Sequence, residues 1–324
     1  MRSVIISAGI LVLSLGGAWL QWQREPTKIG VNEVLILDGK AEDIISVSWE
    51  TESTTATVET RADSFGDYLW VQYDDRKNPD KPQHKEFKAG RKASTLCEEL
   101  SPLIGIRKLE DVEDLEAIGL SASTTRMIIE KKNQKHEFLI GAEAYGTKDF
   151  YVRYIQTGDI FLVDDKKLRN LVNARTALLD RSLWSEKLES ADSISIDMNE
   201  QTRNFSHLNK QDKAQAKWVF SAQRDRDNTQ LETWLSKFFT LSVSRYPIEK
   251  DDLSALTPSF TLTATWEQAP KQRLILYQTE TGWWGESDYT RGKVKITGKA
   301  LDALFEDLPA LMDDAAEKSA PAEE

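Results

Sequence analysis

The sequence predicts an α+β protein: two tandem repeats of a mostly antiparallel sheet with packed helices, preceded by a single N-terminal transmembrane helix. Three observations lead to this prediction: an uncharged apolar run near the N-terminus, short stretches in which apolar and polar residues alternate, and a pattern of blocks that occurs twice. Alternation with a period of two is typical of half-buried strands. Strands joined by hairpins, rather than by strand–helix–strand crossovers, favour antiparallel sheets.

Composition limits the classes of protein to which this chain can belong. Its 324 residues include 42 Lys and Arg against 53 Asp and Glu, which gives a formal net charge of −11. An acidic chain without a long basic run lacks the counterion release that supplies most of the affinity for phosphates, so we expect no nucleic-acid partner. At about 100–200 residues per domain, the length predicts about two domains.

Cysteine and histidine are too scarce for the common metal and catalytic sites. Cys97 is the single cysteine, which excludes an internal disulfide framework and a cysteine-built zinc or iron–sulfur site. We expect it to be a small buried hydrophobe on a helix. The histidines are His84, His136 and His207, and none has a second histidine at metal-ligand spacing. We therefore predict that the chain is not an enzyme and holds no catalytic, cofactor-binding or metal-ligating residues.

The N-terminal run Val4–Leu20 suggests a membrane anchor. It carries no charge, extends to Trp22 and covers about 25–28 Å as a helix, close to the roughly 30 Å hydrocarbon core of a bilayer. Two tryptophans near its end occupy the positions of an interfacial aromatic belt. A cleaved signal peptide, cut after the small residues 16–18, is the alternative. We predict a retained anchor with its N-terminus inside the cell.

One order of strands occurs twice along the rest of the chain. Each copy has an alternating first strand, then a strand that carries Trp-Val, then a hairpin, then a closing strand with a short helix. In the first copy these blocks are residues 43–49, 70–71, 124–140 and 160–171; in the second they are residues 192–198, 218–219, 260–277 and 293–304. Because four blocks in the same order are hard to obtain by chance, we infer an internal duplication.

Each copy also predicts an amphipathic helix between its Trp-Val strand and its hairpin. The apolar positions that share one helical face are Leu96, Leu100, Leu103 and Ile104 in the first copy and Leu231, Leu235, Phe238 and Phe239 in the second. Capping-box patterns predict that these helices open at Thr95, with Glu98, and at Thr229, with Glu232.

These patterns divide the chain into five segments. The C-terminal end has no apolar periodicity, so we predict that it is disordered and solvated. The predicted segments are a cytoplasmic head over 1–3, a transmembrane anchor over 4–22, a first α+β repeat unit over 29–182, a second over 183–313, and a disordered acidic tail over 314–324.

Two stretches resemble ligand motifs without completing them. Gly141–Lys148 has the glycines of a phosphate loop, but Thr147 and Lys148 are swapped and a strand pattern follows, so we predict a hairpin loop. Asp225–Thr229 begins like a calcium loop but lacks the glycine and the glutamate that the geometry needs, so we predict a polar turn before a helix. Asp164 and Asp165 are expected to be turn and helix-start residues.

Aromatic residues form the best candidates for an interaction surface. Trp283 and Trp284 are adjacent on a predicted strand, so their indoles point to opposite faces and at least one is expected to be exposed. Tyr145, Phe150 and Tyr151 form a similar cluster in the first copy. Exposed aromatics are typical of partner hot spots and of surfaces on which glycans stack. The alternative is that these rings pack in the core or lie flat on the sheet.

Short apolar motifs in the first copy carry a resemblance to a known family. They are Leu115–Leu120 before the hairpin, Phe138–Gly141 in it, Asp149–Arg153, Ile160–Val163 and the closing Leu168/Leu171 pair. In this order they resemble the domain of unknown function 4340 family over about residues 43–180, and residues 192–313 resemble it more weakly. The proline usual after Gly119-Leu120 is replaced by Ser121–Ser123, whereas the second copy keeps Pro258.

The resemblance implies a bacterial, membrane-anchored extracytoplasmic protein. Members are often encoded beside ABC transporter components of the gliding-motility type, and no catalytic residues carry over. We therefore expect a non-enzymatic accessory subunit of an ABC-type transport or envelope complex. It would be held in the inner membrane by residues 4–22, with its C-terminal domains in the periplasm, and it would contact a permease, an ATPase or a related envelope protein. The alternative is an extracytoplasmic module that binds a lipid or a glycan.

Overall fold

The computed structural model describes residues 30, 33–212, 214–222 and 228–312. Among these residues, no helix is long and apolar enough to cross a membrane. The predicted head and anchor (1–22) and the predicted acidic tail (314–324) lie outside the described residues, as do Asp225–Asp227 of the incomplete calcium motif.

Nineteen strands and five α-helices make up the described part of the chain. The strands are β1 (Val34–Leu37), β2 (Ile44–Glu50), β3 (Thr54–Asp63), β4 (Gly66–Asp75), β5 (Gln83–Lys88), β6 (Leu103–Gly105), β7 (Arg107–Leu109), β8 (Arg126–Lys131), β9 (Gln134–Glu143), β10 (Phe150–Tyr154), β11 (Ile160–Val163), β12 (Ser193–Met198), β13 (Gln201–Leu208), β14 (Lys217–Phe220), β15 (Val243–Arg245), β16 (Phe260–Thr265), β17 (Gln272–Thr279), β18 (Gly282–Ser287) and β19 (Gly292–Ile296). The helices are α1 (Arg91–Leu100), α2 (Asp165–Val172), α3 (Ala174–Ala177), α4 (Thr229–Phe239) and α5 (Lys299–Met312), with single 3₁₀ turns at Ala41–Asp43 and Leu188–Ser190.

These strands form two large sheets and one small one. The first large sheet has the order β5-β4-β3-β2-β8-β9-β10-β11-β7, the second has the order β14-β13-β12-β16-β17-β18-β19-β15, and β1 pairs with β6. Each pairing between described strands is antiparallel. The prediction of an α+β protein with mostly antiparallel sheets is confirmed, and strands outweigh helices in it.

The second sheet has the same strand order as the first. If β12 is matched to β2, each described strand of the second sheet has its counterpart at the same place in the first sheet, and among the nine described strands of the first sheet only β5 has none. The helices correspond in the same way: α1 packs against α2 in the first unit, and α4 packs against α5 in the second. The Trp-Val strands are β4 and β14. In chain order each is the third strand of its large sheet, whereas the sequence predicts it to be the second.

Alternation along the strands places one face of each sheet in the core. In the first sheet Val58 on β3 pairs with Val47 on β2 and with Val71 on β4, and Val47 also pairs with Ile129 on β8. These four side chains are at most 1% exposed. A period of two fixes such a register strongly, because a slip of one residue would turn the apolar set to solvent. The predicted hairpins are confirmed as β8–β9 and β16–β17.

The helices are shorter or begin elsewhere than the sequence predicts. Helix α1 ends at Leu100, and Leu103 and Ile104 belong to β6, because Pro102 cannot continue the helix. Gly90, not Thr95, is its N-cap, so Thr95 lies inside the helix.

Helix α4 is capped one residue earlier than the sequence predicts. The side chain of Asn228 accepts a hydrogen bond from the Leu231 N–H, which makes Thr229 the first helical residue. Asp164 caps α2 by accepting from the Lys166 N–H, so its predicted role as a helix-start residue is confirmed.

Two glycines of the Gly-Leu and Ile-Gly motifs bring a turn close to β9. Gly119 has a φ of +68°, and a Cβ added there would lie 2.9 Å from the Ala142 backbone N. A Cβ on Gly141 would lie 2.4 Å from the carbonyl oxygen of Ile118, which accepts a hydrogen bond from the Ala142 N–H. Only glycine fits such an approach of two backbones. These motif residues therefore stabilise the fold of the first sheet.

Candidate functional site

A cleft of about 380 Å³ opens between the two sheets. The first sheet contributes the tip of the β3–β4 hairpin, the end of β5 and the start of α1. The second contributes the turn between β18 and β19, and the segment that joins the sheets contributes Asp180 and Ser185. Pockets of this size are common at interfaces between structural units, so this cleft is the candidate site.

Lys88, Asp180 and Tyr289 form the floor of this cleft. Ala89 and Leu179 form an isolated antiparallel bridge, flanked by hydrogen bonds from Gly90 N to Leu178 O and from Asp180 N to Lys88 O. That pairing sets Lys88 beside Asp180, and their side chains form a salt bridge in which each is 10% exposed. The Tyr289 hydroxyl donates to Asp180 Oδ2 at 2.8 Å, and Lys88 Nζ lies 3.6 Å from the centre of the Tyr289 ring.

Burial changes the proton affinities of the floor residues. Desolvation lowers the pKa of Lys88, although the Asp180 carboxylate opposes that change. Desolvation and the nearby Asp180 charge raise the pKa of the Tyr289 hydroxyl, which therefore remains protonated and a hydrogen-bond donor. Side chains with shifted pKa values that share a cleft are a common sign of a functional site. Structural ion pairs shift pKa values as well.

The rim of the cleft is an ion pair surrounded by aromatic rings. Arg291 Nε lies 2.8 Å from Asp63 Oδ2, which joins the β18–β19 turn to the β3–β4 hairpin. The same guanidinium lies 5.4 Å from the ring centre of Phe65 and 4.9 Å from that of Tyr68. Phe65 is 48% exposed and stands at the mouth of the cleft.

A second set of contacts behind the cleft joins the two sheets. Trp70 of the first sheet meets Tyr246 edge to face, with ring centres 5.6 Å apart. Tyr246 is 7% exposed, and its hydroxyl donates to the carbonyl oxygen of Thr290 at 2.6 Å. The buried hydrophobic cluster is continuous from one sheet to the other. These contacts fix the walls of the cleft.

The tryptophans predicted as an interaction surface are core residues. Trp283 is 0% exposed and Trp284 is 2% exposed, so the expectation of an exposed indole is wrong. Trp283 packs against Phe305 of α5 and donates from Nε1 to Asp302 Oδ1 at 2.6 Å. Trp284 lies beneath the guanidinium of Arg245, 5.2 Å away. Sequence alternation separates the two indoles correctly but does not reveal that both faces are covered.

The other predicted aromatic cluster is partly exposed. Tyr145 is fully exposed in the loop between β9 and β10, the loop that contains the incomplete phosphate motif. Phe150 and Tyr151 are half-buried at the start of β10, and Phe150 packs against the core. Their role as an interaction surface stays a prediction, now centred on Tyr145.

Three carboxylates near this loop lie within reach of one cation. The oxygens of Asp149, Asp164 and Asp165 lie within 4.8 Å of one another. Asp165 is paired with Arg169, and Asp164 caps α2. The ion pair of Asp165 and the helix cap of Asp164 explain the positions of two of the three carboxylates without a metal ion.

Local sequence patterns do not identify the cleft residues. Lys88 and Asp180 are 92 residues apart, and Tyr289 is a further 109 residues along the chain. None of them stands in a recognisable motif. The available signal was the segment Ala177-Leu178-Leu179-Asp180, which recurs as Ala310-Leu311-Met312-Asp313 and ends on an acid just before the segment that joins the two units.

The comparisons with known proteins identify a family and nothing closer. A family model described as a domain of unknown function (DUF4340) matches residues 91–260, which is 170 of the 324 residues. The match runs from α1 of the first sheet to the start of β16 in the second, so it is not confined to the first copy. No curated protein and no solved structure matches the chain. Since the match covers more than half of the sequence, the chain belongs to the domain of unknown function 4340 family.

Proposed function

We propose that this chain is a non-enzymatic accessory subunit of an ABC-type transport or envelope complex and acts by protein–protein interaction. The apolar run Val4–Leu20 supports a membrane anchor, with the folded part on the extracytoplasmic side. The observation that carries the interaction role is Tyr145, a fully exposed aromatic residue beside the half-buried Phe150 and Tyr151. Aromatic residues of this kind are enriched at the energetic centres of protein interfaces.

We also propose that the two sheets descend from one duplicated unit. The shared strand order and the matching helix pairs support this. In the first unit β5 covers the outer edge of β4, and β5 ends in the floor of the cleft at Lys88. The strand of the first sheet that has no counterpart in the second therefore contributes part of the cleft floor.

Purification of the full-length protein from membranes in mild detergent tests the accessory role. We expect a permease and an ATPase to co-purify in stoichiometric amounts, as measured by mass spectrometry. Tyr145→Ala should reduce their recovery, because it removes the exposed ring from the interaction surface. Ile248→Ala is the matched control, since Ile248 is an exposed apolar residue elsewhere, at 37% exposure. Recovery of a clean monomer from wild-type membranes would contradict the proposal.

The second candidate function is a binding module for a lipid or a glycan. The cleft favours it, because a cavity of about 380 Å³ with aromatic and charged walls lies between the two sheets. Ligand sites commonly combine apolar and aromatic walls with a few convergent polar groups.

A further inference from the structure

We propose that the cleft binds a neutral saccharide, with its hydroxyl groups on the charged side chains of the cleft and one sugar face on Phe65. This inference rests on the second candidate function and names its ligand class. It does not depend on the accessory-subunit proposal.

The charge balance of the cleft favours a neutral ligand over an anion or a cation. Three cationic and three anionic side chains line its walls, and Asp63 at the rim pairs with Arg291, so cations and carboxylates nearly balance; the six wall residues are Lys88, Arg91, Arg291, Asp67, Asp180 and Asp288. A phosphate or a carboxylate would gain from the cations but lose to the carboxylates. A hydroxyl group both donates and accepts, so it can bond to guanidinium and carboxylate groups side by side.

Some of the charged side chains that line the cleft have no ion-pair partner and can bind a ligand. Among the described residues, Arg91, Asp67 and Asp288 form no side-chain ion pair, whereas Lys88 and Arg291 are each paired with a carboxylate. Arg91 is exposed at the first turn of α1, where it lines the cleft. Within the described part of the chain, a guanidinium donor without an ion pair therefore stands on the α1 side, and carboxylate acceptors without an ion pair stand on β4 and in the β18–β19 turn.

Phe65 supplies the apolar surface that a sugar face needs. It is 48% exposed at the mouth of the cleft, although it stands at a hairpin tip where a polar residue would be expected. Its ring is 5.4 Å from the Arg291 guanidinium, which helps to hold it in place. An exposed ring of this kind has the two properties of a recognition surface, a large apolar face and little side-chain freedom to lose.

The floor is already ordered before any ligand arrives. Asp180 accepts from Lys88 and from Tyr289, and Lys88 also rests on the Tyr289 ring. A ligand that contacts these groups does not need to immobilise them, and such pre-organisation increases affinity.

Saturation-transfer NMR and calorimetry on the full-length protein in detergent test the proposal. The probes are chitotetraose, cellotetraose and maltotetraose as neutral saccharides, with inorganic phosphate and galacturonate as anions. We expect at least one neutral tetrasaccharide to bind. Phe65→Ala and Arg91→Ala should each weaken that binding about tenfold, the equivalent of about 1.4 kcal/mol. Lys92→Ala is the matched control, because it removes the same charge from the neighbouring exposed residue, which does not line the cleft.

Three outcomes would overturn the proposal. They are no binding of any neutral tetrasaccharide, binding that Phe65→Ala and Arg91→Ala leave unchanged, and displacement of the saccharide by phosphate. Circular dichroism of each variant separates a loss of binding from a loss of fold. The co-purification experiment does not involve the cleft, so its failure is distinguishable from a failure here.

Discussion

The hydroxyl of Tyr289 donates a hydrogen bond to Asp180 Oδ2 at 2.8 Å, across 109 residues of sequence. Asp180 closes the part of the chain that forms the first sheet, and Tyr289 lies in a turn of the second. The carboxylate also neutralises Lys88, so one acidic group satisfies the buried polar groups of both sides. Buried charges are tolerated when they are paired and hydrogen-bonded. Asp180 therefore contributes the buried polar contact between the two sheets, beside the Arg291–Asp63 ion pair and the Trp70–Tyr246 ring contact.

Asp180→Asn should lower the free energy of unfolding by about 3–5 kcal/mol. The change keeps an acceptor for Tyr289 but leaves Lys88 as a buried cation without a counter-charge, and breaking a buried pair from one side has a cost of this size. Chemical denaturation of the full-length protein in detergent measures it. Tyr289→Phe removes only the hydrogen bond and should cost about 1.5–3 kcal/mol.

The double variant Lys88→Met/Asp180→Asn separates the interaction energy of the salt bridge from the energies of the other contacts that the two side chains make. If the cost of Asp180→Asn comes from the unpaired Lys88, removal of both charges should cost less than the sum of the single variants. Additive effects would show that Lys88 and Asp180 act independently, contrary to their contact.

Regular local patterns predicted much of the sheet structure. Phe260–Thr265 and Gln272–Thr279 form the hairpin that their sequence indicates, because alternation encodes which face of a strand is buried. The order of blocks in the two copies also agrees with the order of strands in the two sheets.

Three features escape prediction from the sequence: the end of α1, the burial of Trp284 and the cleft. The last two depend on contacts between residues that are far apart in the sequence. Leu103 and Ile104 continue the helical spacing of Leu96 and Leu100, yet they lie on β6 after Pro102. Trp284 is covered in part by Arg245, which is distant in sequence and lies over the indole. The floor of the cleft brings together Lys88, Asp180 and Tyr289 from three distant parts of the chain, and no local spacing predicts that contact.

Trp283→Ala should cost about 3–5 kcal/mol of stability, whereas Tyr145→Ala should change it by less than about 0.5 kcal/mol. Trp283 is fully buried against α5 and donates to Asp302, while Tyr145 is fully exposed. Denaturation curves of the two variants measure the difference. Trp283→Phe retains most of the ring but not the donor, so it should fall between them. A Trp283→Ala variant as stable as wild type would contradict the assignment of this indole to the core.

His84 and His136 should titrate on opposite sides of the ordinary histidine value. Hydrogen bonding to the Asp74 carboxylate, with a further contribution from Glu86, raises the pKa of the exposed His84. Desolvation, followed by the Lys131 charge, lowers the pKa of His136, which is 5% exposed with Nδ1 2.6 Å from the Tyr154 hydroxyl. Heteronuclear NMR of the imidazole rings against pH measures both.

Two consequences follow from these opposite pKa changes. Asp74→Asn should move the titration of His84 to lower pH and leave His136 unchanged. Because His136 binds its proton less tightly in the folded state than in the unfolded one, its contribution to stability is complete above about pH 6.5 and is lost as the pH falls below that value. A His136 that titrates above His84 would contradict both assignments.

Cys97 should make the fold less stable in alkali. Burial on α1 raises the pKa of its thiol to about 11 from the ordinary 9.0. Since the unfolded chain loses this proton first, the contribution of the thiol is complete below about pH 9 and is lost as the pH rises toward 11. One pKa unit corresponds to about 1.4 kcal/mol, so the wild type should lose about 2 kcal/mol more than Cys97→Ala between about pH 8 and pH 10.5.

The comparison with Cys97→Ala isolates the thiol from other alkaline effects. Tyr246 and Tyr289 also have raised pKa values because they are buried, and both remain in the variant. The cavity left by the substitution lowers stability at every pH and does not alter the slope. Parallel stability profiles for the two proteins would mean that Cys97 is solvated in the folded state. Slow reaction of the native thiol with a maleimide at neutral pH, and fast reaction after denaturation, would agree with its burial.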